Sequence, residues 1–401
     1  INSGAFYGDG TEDPVGSELI SSFASKLWIT KKGRSRPKFV KCHGSSGTYQ
    51  QVVKGNDDCR GDAVMQQVFC FVNNLMKRRK WDFNSAGNVR ALKNELNIVT
   101  YHIVPLSPAA GVLEFVEDSI AFGDYLVDEG KKVGAHSKYK PGEYSSEVAK
   151  SMISEAKPGE RRKVYDEICE NFSPVFHHFF TERFGHSLPL WYASKMKYTR
   201  SCAVNSMVGH VLGIGDRHIF NILIHEKTGE VVHIDFGMVF EQALLLPSPE
   251  TVPFRLSRDI VDGMGPCGTE GTFSRAAEQA MVVLRENSDA LLTILSAVVS
   301  DPLFAWNMTP HEARKRQRNE VADAEGMELE SEAAVTEDKS SVDLNEAGIR
   351  ALARIQEKLQ GYEDGSSGER QSVEGQVQML INAARDEDNL CRLYFGWSAF
   401  V

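Results

Sequence analysis

Two stretches, Gly213-Ile214-Gly215-Asp216-Arg217-His218-Ile219-Phe220-Asn221 and His233-Ile234-Asp235-Phe236-Gly237, decide how this sequence is read. Asp216 and Asn221 stand five residues apart on one loop, and Asp235 follows fourteen residues later. Between them, Phe220 to Ile224 and Glu230 to Ile234 flank Lys227-Thr228-Gly229, which predicts a short hairpin. Such a hairpin folds Asn221 and Asp235 onto one mouth. Phosphoryl transfer needs a carboxylate to take or orient the proton of the acceptor hydroxyl. It also needs an amide oxygen and a second carboxylate, here Asn221 and Asp235, to hold the magnesium (Mg2+) that bridges the phosphates of ATP. A lone Asp-Phe-Gly is common and a lone His is more often a core or surface residue, but the full set at these offsets makes coincidence improbable.

Upstream the pattern changes. Leu27 to Lys31, Lys38 to Cys42 and Thr48 to Lys54 read as strands, the last two joined across Gly44-Ser45-Ser46-Gly47. From Asp62 the residues Val64, Met65, Val68, Phe69, Val72, Leu75 and Met76 recur at three- and four-residue steps, one helical face. That helix runs into Lys77-Arg78-Arg79-Lys80, cations that offset the dipole at a helix C-terminus rather than marking a nucleic-acid patch. Ile98 to Leu106 and Val112 to Val116 complete a small antiparallel sheet with one helix. Residues 118–212 read as helices, with long periodic segments at 160–183 and 188–212, and helices resume near Asp259, at 270–300, at 343–360 and at 373–384.

The 401 residues allow two or three domains, and 42% apolar with 25% charged residues is ordinary globular composition. Seven cysteines, odd in number and never in a C-x-x-C pair, encode neither a disulfide framework nor a zinc knuckle and point to a reducing compartment. The longest apolar run, Ala290 to Val299, falls short of a membrane span. The start, Ile1-Asn2-Ser3-Gly4, has neither an initiator Met nor a signal peptide and reads as a cut from a longer protein. A net charge of −10 argues against direct DNA binding. Six of those ten excess negative charges fall in residues 311–370, and Asn319 to Asp338 holds eight acids and no base, a solvated linker or helix rather than core.

The order Asp-Arg-His in the loop is the reverse of the His-Arg-Asp of ordinary protein kinases, and the chain has neither G-x-G-x-x-G nor V-A-I-K. It resembles the phosphatidylinositol 3-kinase superfamily, in which the loop's Asp and His both face the transferred phosphate. His218 is then implied to supply positive charge or a proton near the γ-phosphate. Lys54-Gly55-Asn56-Asp57-Asp58-Cys59-Arg60-Gly61-Asp62 is similar to the superfamily's Lys-Gly-x-Asp-Asp-Leu-Arg-Gln-Asp, with Cys59 and Gly61 as departures. The resemblance implies that Lys54 binds the α- and β-phosphates and that Asp57 and Asp62 orient it. It further implies Tyr101 at the inner wall of an adenine pocket, a hinge at Leu113-Glu114-Phe115-Val116 with Phe115 stacking on adenine and the backbone of Glu114 and Val116 bonding the purine, and a phosphate-covering loop at Lys32, Gly33, Arg34 and Ser35.

The segment from Met238 to Leu256 offers Arg255 alone against Glu241 and Glu250, a poor seat for a polyanionic inositol headgroup. Its reading Phe-Glu-Gln (240–242), Leu-Pro-x-Pro-Glu-x-Val-Pro-Phe-Arg-Leu (246–256) and Arg-Asp-Ile-Val-Asp-Gly-Met-Gly (258–265) resembles the ataxia-telangiectasia mutated (ATM) type of phosphatidylinositol 3-kinase-related protein kinases (PIKK), with Ser257 in place of Thr. Gly375-Gln376-Val377, Asn389-Leu390 and Gly396-Trp397 resemble the FATC tail of such kinases. The same tail could instead be an amphipathic, interfacial helix end.

The implied fold is α+β: a bilobal, PI3K/protein-kinase-like fold with a small β-rich N-lobe and a larger helical C-lobe, followed by a helical regulatory segment and the FATC tail. The expected limits are an extension at 1–26, the N-lobe at 27–117, the C-lobe at 118–307 with catalytic loop 213–221 and activation segment 235–258, an acidic linker and regulatory helix at 308–371, and the tail at 372–401. The resemblance implies an ATP- and magnesium-dependent serine/threonine kinase acting on Ser/Thr-Gln sites in DNA double-strand-break and telomere signalling. It also implies nuclear location, homodimerisation through helical repeats outside this sequence, and recruitment to DNA ends by a break-sensor complex. A phosphoinositide kinase and a kinase-fold scaffold are the alternative classes.

Overall fold

A computed structural model describes residues 20–30, 36–45, 47–79, 96–128, 132–299, 341–363, 365 and 368–401, with side chains in the helix that starts at Ser341 described from residue 348. The expected phosphate-covering loop, Lys32 to Ser35, and the acidic stretch Asn319 to Asp338 lie outside the described residues. The chain divides into two compact units, one of residues 1–68 and 100–117, the other of 69–99 and 118–401.

The first unit is built on an antiparallel sheet of β1 (Ile20–Phe23), β2 (Trp28–Ile29), β3 (Lys38–Gly44), β4 (Thr48–Gly55), β5 (Ile103–Ser107) and β6 (Ala110–Glu114), in the order β1-β3-β4-β6-β5 with β2 also on β3. The β3–β4 hairpin pairs Lys38 with Val53 through His43 with Thr48, and β4 continues onto β6 with Lys54 opposite Gly111. Strand β1 precedes the expected first strand. The run expected as strand from Ile98 begins only at Ile103, for a reason visible in α1 (Arg60–Arg78). The Asn73 amide bonds both the N–H and the carbonyl of Ile98 at 2.8 Å, and Gln66 Oε1 accepts from the Tyr101 N–H at 3.1 Å. Backbone groups that a sheet neighbour would otherwise bond are taken by helix side chains.

The second unit is helical apart from a three-stranded sheet, β7 (Ser119–Ala121), β8 (Ile222–His225) and β9 (Val231–His233), in which β7 stands where helix was expected. Helices α2 (Phe122–Leu126), α3 (Ala135–Tyr139), α4 (Ser146–Glu155), α5 (Arg161–Glu170) and α6 (His177–Phe184) precede α7 (Leu188–Leu212). The single segment expected over 160–183 is broken between Asn171 and Phe176 because Pro174 has no N–H to continue the helix. Helix α7 is buried nearly all round from Ser194 onward, so it is the spine of this unit. Then follow α8 (Arg258–Met264), α9 (Thr272–Glu286), α10 (Ser288–Val299), α11 (Ser341–Gln360), α12 (Val373–Arg385) and α13 (Glu387–Leu390). Among the described residues no helix is long and apolar enough to cross a membrane.

Candidate active site

The loop that carries Asp216 starts where α7 stops. Gly213 ends the helix in the left-handed region at φ 60°, its N–H bonding the His210 carbonyl at 3.1 Å while Ile214 N–H bonds that of Gly209 at 2.8 Å. A side chain on Gly213 would lie 2.4 Å from the Glu241 nitrogen, and one on Gly215 would lie 2.3 Å from the Ala243 Cβ. The two glycines let the segment after Asp-Phe-Gly pack directly on the loop, with Gly215 N–H bonding the Met238 carbonyl at 3.0 Å.

The β8–β9 hairpin pairs Ile222 with His233, and Ile234 N–H bonds the Asn221 carbonyl at 3.1 Å, which brings the ends of both motifs side by side. Asp216 (φ 58°) and Asp235 (φ 59°) both hold left-handed backbone, as do Phe240 and Glu241 further on. Among the described residues, half of the eight non-glycine residues with positive φ are these four, so conformational strain is concentrated at this site.

Arg217, 3% exposed, fastens the arrangement: Nε donates to the Gly215 carbonyl at 2.9 Å, Nη1 to Ile234 at 2.8 Å and Nη2 to the carbonyl of Asp235. Its guanidinium also lies 5.4 Å from the centre of the buried Phe236 ring, which meets Phe69 of α1 edge-on at 5.1 Å. Asn221 Nδ2 donates to the Asp216 carbonyl at 2.9 Å, which leaves Oδ1 as the amide's acceptor atom. Both carboxylate oxygens of Glu250 accept the Asp216 N–H at 3.0 Å. His218 Nδ1 accepts the Phe220 N–H at 3.1 Å, and burial holds the ring's pKa below its ordinary value. With Nδ1 engaged as an acceptor, Nε2 is the ring nitrogen that carries the donor proton.

Arg255, the one base between Met238 and Leu256, points inward. It is 5% exposed, and its Nη atoms donate to the carbonyls of Arg217 (3.2 Å), Trp397 (2.6 Å), Ser398 (2.8 Å) and Val401 (3.0 Å), with the guanidinium 4.1 Å from the Trp397 ring centre. Burial lowers its pKa to about 9, so it remains charged at neutral pH. Trp397, Phe400 and Val401 are buried, which removes the interfacial reading of the tail. From another side Lys358 of α11, also buried, reaches Glu241 Oε1 and the His210 carbonyl, both at 2.7 Å. Burial disfavours the Lys358 charge, and Glu241 opposes that effect.

In the first unit, Lys54 ends β4 with its ammonium 3.4 Å from Asp57 and 4.0 Å from Asp62, the latter in the first turn of α1. Tyr101 is buried. Phe115 meets Phe39 of β3 edge-on at 5.8 Å, and its N–H bonds the Gln50 carbonyl. The Glu114 N–H is taken by the His102 carbonyl at 2.8 Å and its carboxylate by the His102 N–H and ring, so any purine contact from Glu114 uses its carbonyl. Cys59 fits under Gly111, where an added Cβ would come within 2.8 Å of its sulfur.

Sequence reasoning did not single out Arg217, Glu250, Arg255 and Lys358 as positioning groups. Their partners are main-chain atoms, or for Lys358 also a carboxylate more than a hundred residues away, and spacing does not reveal such pairs.

Comparison with known families matches residues 48–308 to the family described as phosphatidylinositol 3- and 4-kinase and residues 370–401 to the FATC domain. The chain is 44% identical over 371 residues to "Serine/threonine-protein kinase ATM" of Arabidopsis thaliana, covering 92% of this chain and 9% of that protein. It is 42% identical over 404 residues to "Serine-protein kinase ATM" of Sus scrofa, covering 97% and 13%. The solved "FAT and kinase domain of CtTel1" superposes with a TM-score of 0.80 at 36% identity, covering 97% of this chain and 24% of that one. The chain thus spans about a tenth of the length of the curated relatives it matches. The reversed loop, the strapped Asp-Phe-Gly and the buried tail place the chain in the phosphatidylinositol 3- and 4-kinase family, among the homologues of the ATM and Tel1 kinases.

Proposed function

We propose that this chain is the catalytic region of an ATM-type serine/threonine protein kinase that moves the γ-phosphoryl group of ATP to Ser or Thr followed by Gln. The observation that carries the reading is the convergence of Asp216, His218, Asn221 and Asp235 on one loop and one hairpin end, with Arg217 tying the two together. Asp216 accepts or orients the proton of the substrate hydroxyl, and His218 donates through Nε2–H to charge developing on the transferred group. The Asn221 Oδ1 and the Asp235 carboxylate are hard oxygen donors, the kind magnesium takes together with phosphate oxygens, so they fit as its holders. When bound, the metal neutralises charge on the phosphates. Lys54 binds the α- and β-phosphates, Asp57 and Asp62 orient it, and Tyr101, Glu114, Phe115 and Val116 border the adenine.

The engagement of Arg255 with the tail supports a neutral hydroxyl acceptor over a phosphoinositide, because that base is unavailable to a headgroup. Relatives named as ATM and tel1 kinases support a role in DNA double-strand-break and telomere signalling in the nucleus. Solved relatives described as "Complete CtTel1 dimer with C2 symmetry" and "Tel1 kinase butterfly symmetric dimer" support a homodimer for the longer protein. A break-sensor complex is its recruiter in this reading. The test is phosphate transfer from ATP to paired peptides that differ only in Gln or Ala after the acceptor Ser, beside phosphoinositide vesicles. Preferential labelling of the Gln peptide that disappears in Asp216→Ala is expected. Faster labelling of the vesicles would replace the reading with a lipid kinase, and equal labelling by Asp216→Ala would make the chain a scaffold.

A further inference from the structure

Away from the site above, on the second unit, lies a pocket of about 290 Å³ between the start of α7 and the turn that follows α8. Trp191, Tyr192, Met196 and Met264 give it apolar walls, and Lys195 and Cys267 reach it from opposite elements. Lys195 is 8% exposed. Among the described residues its ammonium has no hydrogen-bond acceptor and no carboxylate within ion-pair distance; it lies 4.8 Å from the centre of the Trp191 ring and packs against Gly265. The nearby acid, Asp262, already accepts the N–H of His177 at 2.8 Å and faces the His177 ring at 2.7 Å.

The position of this cation is built. An added Cβ on Gly265, whose φ is +87°, would lie 2.2 Å from the Lys195 nitrogen, so the lysine head occupies the space a side chain would fill. An ammonium partly desolvated at a pocket wall, with no anion bonded to it, gains from one that enters the pocket. The helix continues the apolar stripe outward: Leu188, 74% exposed, lies one turn before Trp191 and Tyr192 on the same face, and Tyr192 is itself 59% exposed. Glu270 on the pocket wall repels a dianion and so favours a single carboxylate over a phosphate.

We propose that this pocket receives an acidic side chain, Asp or Glu flanked by apolar residues, from a peptide segment of a protein partner, with Lys195 as the counter-ion and Trp191, Tyr192 and Leu188 as the apolar seat. The carboxylate pairs with the ammonium above Gly265, and its neighbours cover the exposed stripe. Lys195 takes no part in phosphate transfer in this assignment.

The test uses the full chain and two pools of short fluorescent peptides, one with Glu and one with Gln at the centre, each flanked by Leu, Ile or Phe. Fluorescence anisotropy is expected to show the Glu pool binding roughly ten-fold more tightly. Lys195→Gln should abolish that preference while leaving phosphotransfer unchanged, and Tyr192→Ser should weaken both pools alike. In the wild-type chain, the bound Glu pool should slow alkylation of the exposed Cys267 by N-ethylmaleimide, read by mass spectrometry, and this readout stands if Lys195→Gln fails to fold. Failure of both pools to bind at millimolar concentration, Glu preference that survives Lys195→Gln, or undiminished Cys267 alkylation would overturn the assignment. So would 4-phenylbutyrate binding as tightly as the Glu pool, since a small carboxylate would then suffice.

Discussion

Arg255 in the second unit and Lys54 in the first are held in opposite ways. In the second, Arg255 is nearly fully buried and donates to four main-chain carbonyls, and Arg217 beside it also bonds carbonyl oxygens. In the first, Lys54 sits by two carboxylates, one of them 41% exposed. A guanidinium bonded to carbonyls fixes the path of the chain, because several peptide planes must point at one planar fork. An ammonium beside carboxylates fixes only the place of a charge and leaves it free to exchange partners. The difference assigns geometry to the arginines and pliable charge to the lysine.

Arg255→Ala is the strongest way to break that contrast. It leaves buried carbonyls in the loop and the tail without their shared donor and empties the space under Trp397. A loss of about 3 kcal/mol or more of stability is expected, with protease sensitivity appearing first in residues 372–401. Arg255→Lys should recover little, because one ammonium cannot span the four acceptors. Denaturant midpoints and limited proteolysis measure both, and recovery by lysine close to wild type would mean that charge rather than the planar fork is what matters. Next in size is Glu250→Ala, which removes the acceptor of the Asp216 N–H and frees a strained backbone to relax. A fall in kcat of roughly ten- to a hundred-fold is expected, the rate equivalent of about 1.5–3 kcal/mol for one hydrogen bond to a charged group, with the KM for ATP little changed. Asp57→Asn should do the reverse and less: a rise of about two- to three-fold in the KM for ATP with kcat nearly intact, since Asp62 still faces the lysine.

The same contrast explains what was legible in the sequence. Asp216, Asn221 and Asp235 could be found because a short hairpin turns their separation into proximity, and Lys54 because its acidic neighbours follow within eight residues. Arg217 was written inside the motif, yet its role depends on where carbonyls point, which side-chain chemistry does not encode. Arg255 was noticed only as a lone base in an acidic segment, since its acceptors lie at Trp397 to Val401. In the fold, Ile98 to His102 has strand composition, but Asn73 and Gln66 of α1 bond its backbone first. Strand β7 has three residues, Ser119-Ile120-Ala121, too few to show a period, and it exists because Ile120 pairs with Ile224.

A pH dependence tests how strongly burial, with the charge of Arg217 beside it, keeps a proton off His233. His233 lies at the end of β9, and burial, with the guanidinium of Arg217 as the second cause, pushes its pKa down to about 3. The unfolded chain takes up this proton near the ordinary value of about 6.5, whereas the folded chain refuses it until pH falls to about 3. Between those limits the unfolded state binds more protons, so stability declines as pH drops, by at most about 1.4 kcal/mol per pH unit from this one group. Above that window His233 is neutral in both states and contributes nothing to the slope. His233→Gln should therefore leave stability at pH 7.5 within a small offset of wild type and flatten its decline between pH 6 and about 4. Urea midpoints at a series of pH values read the slope directly. An unchanged slope would mean that His233 gains its proton as easily in the fold as in the open chain, and Arg217 would then act through its hydrogen bonds alone.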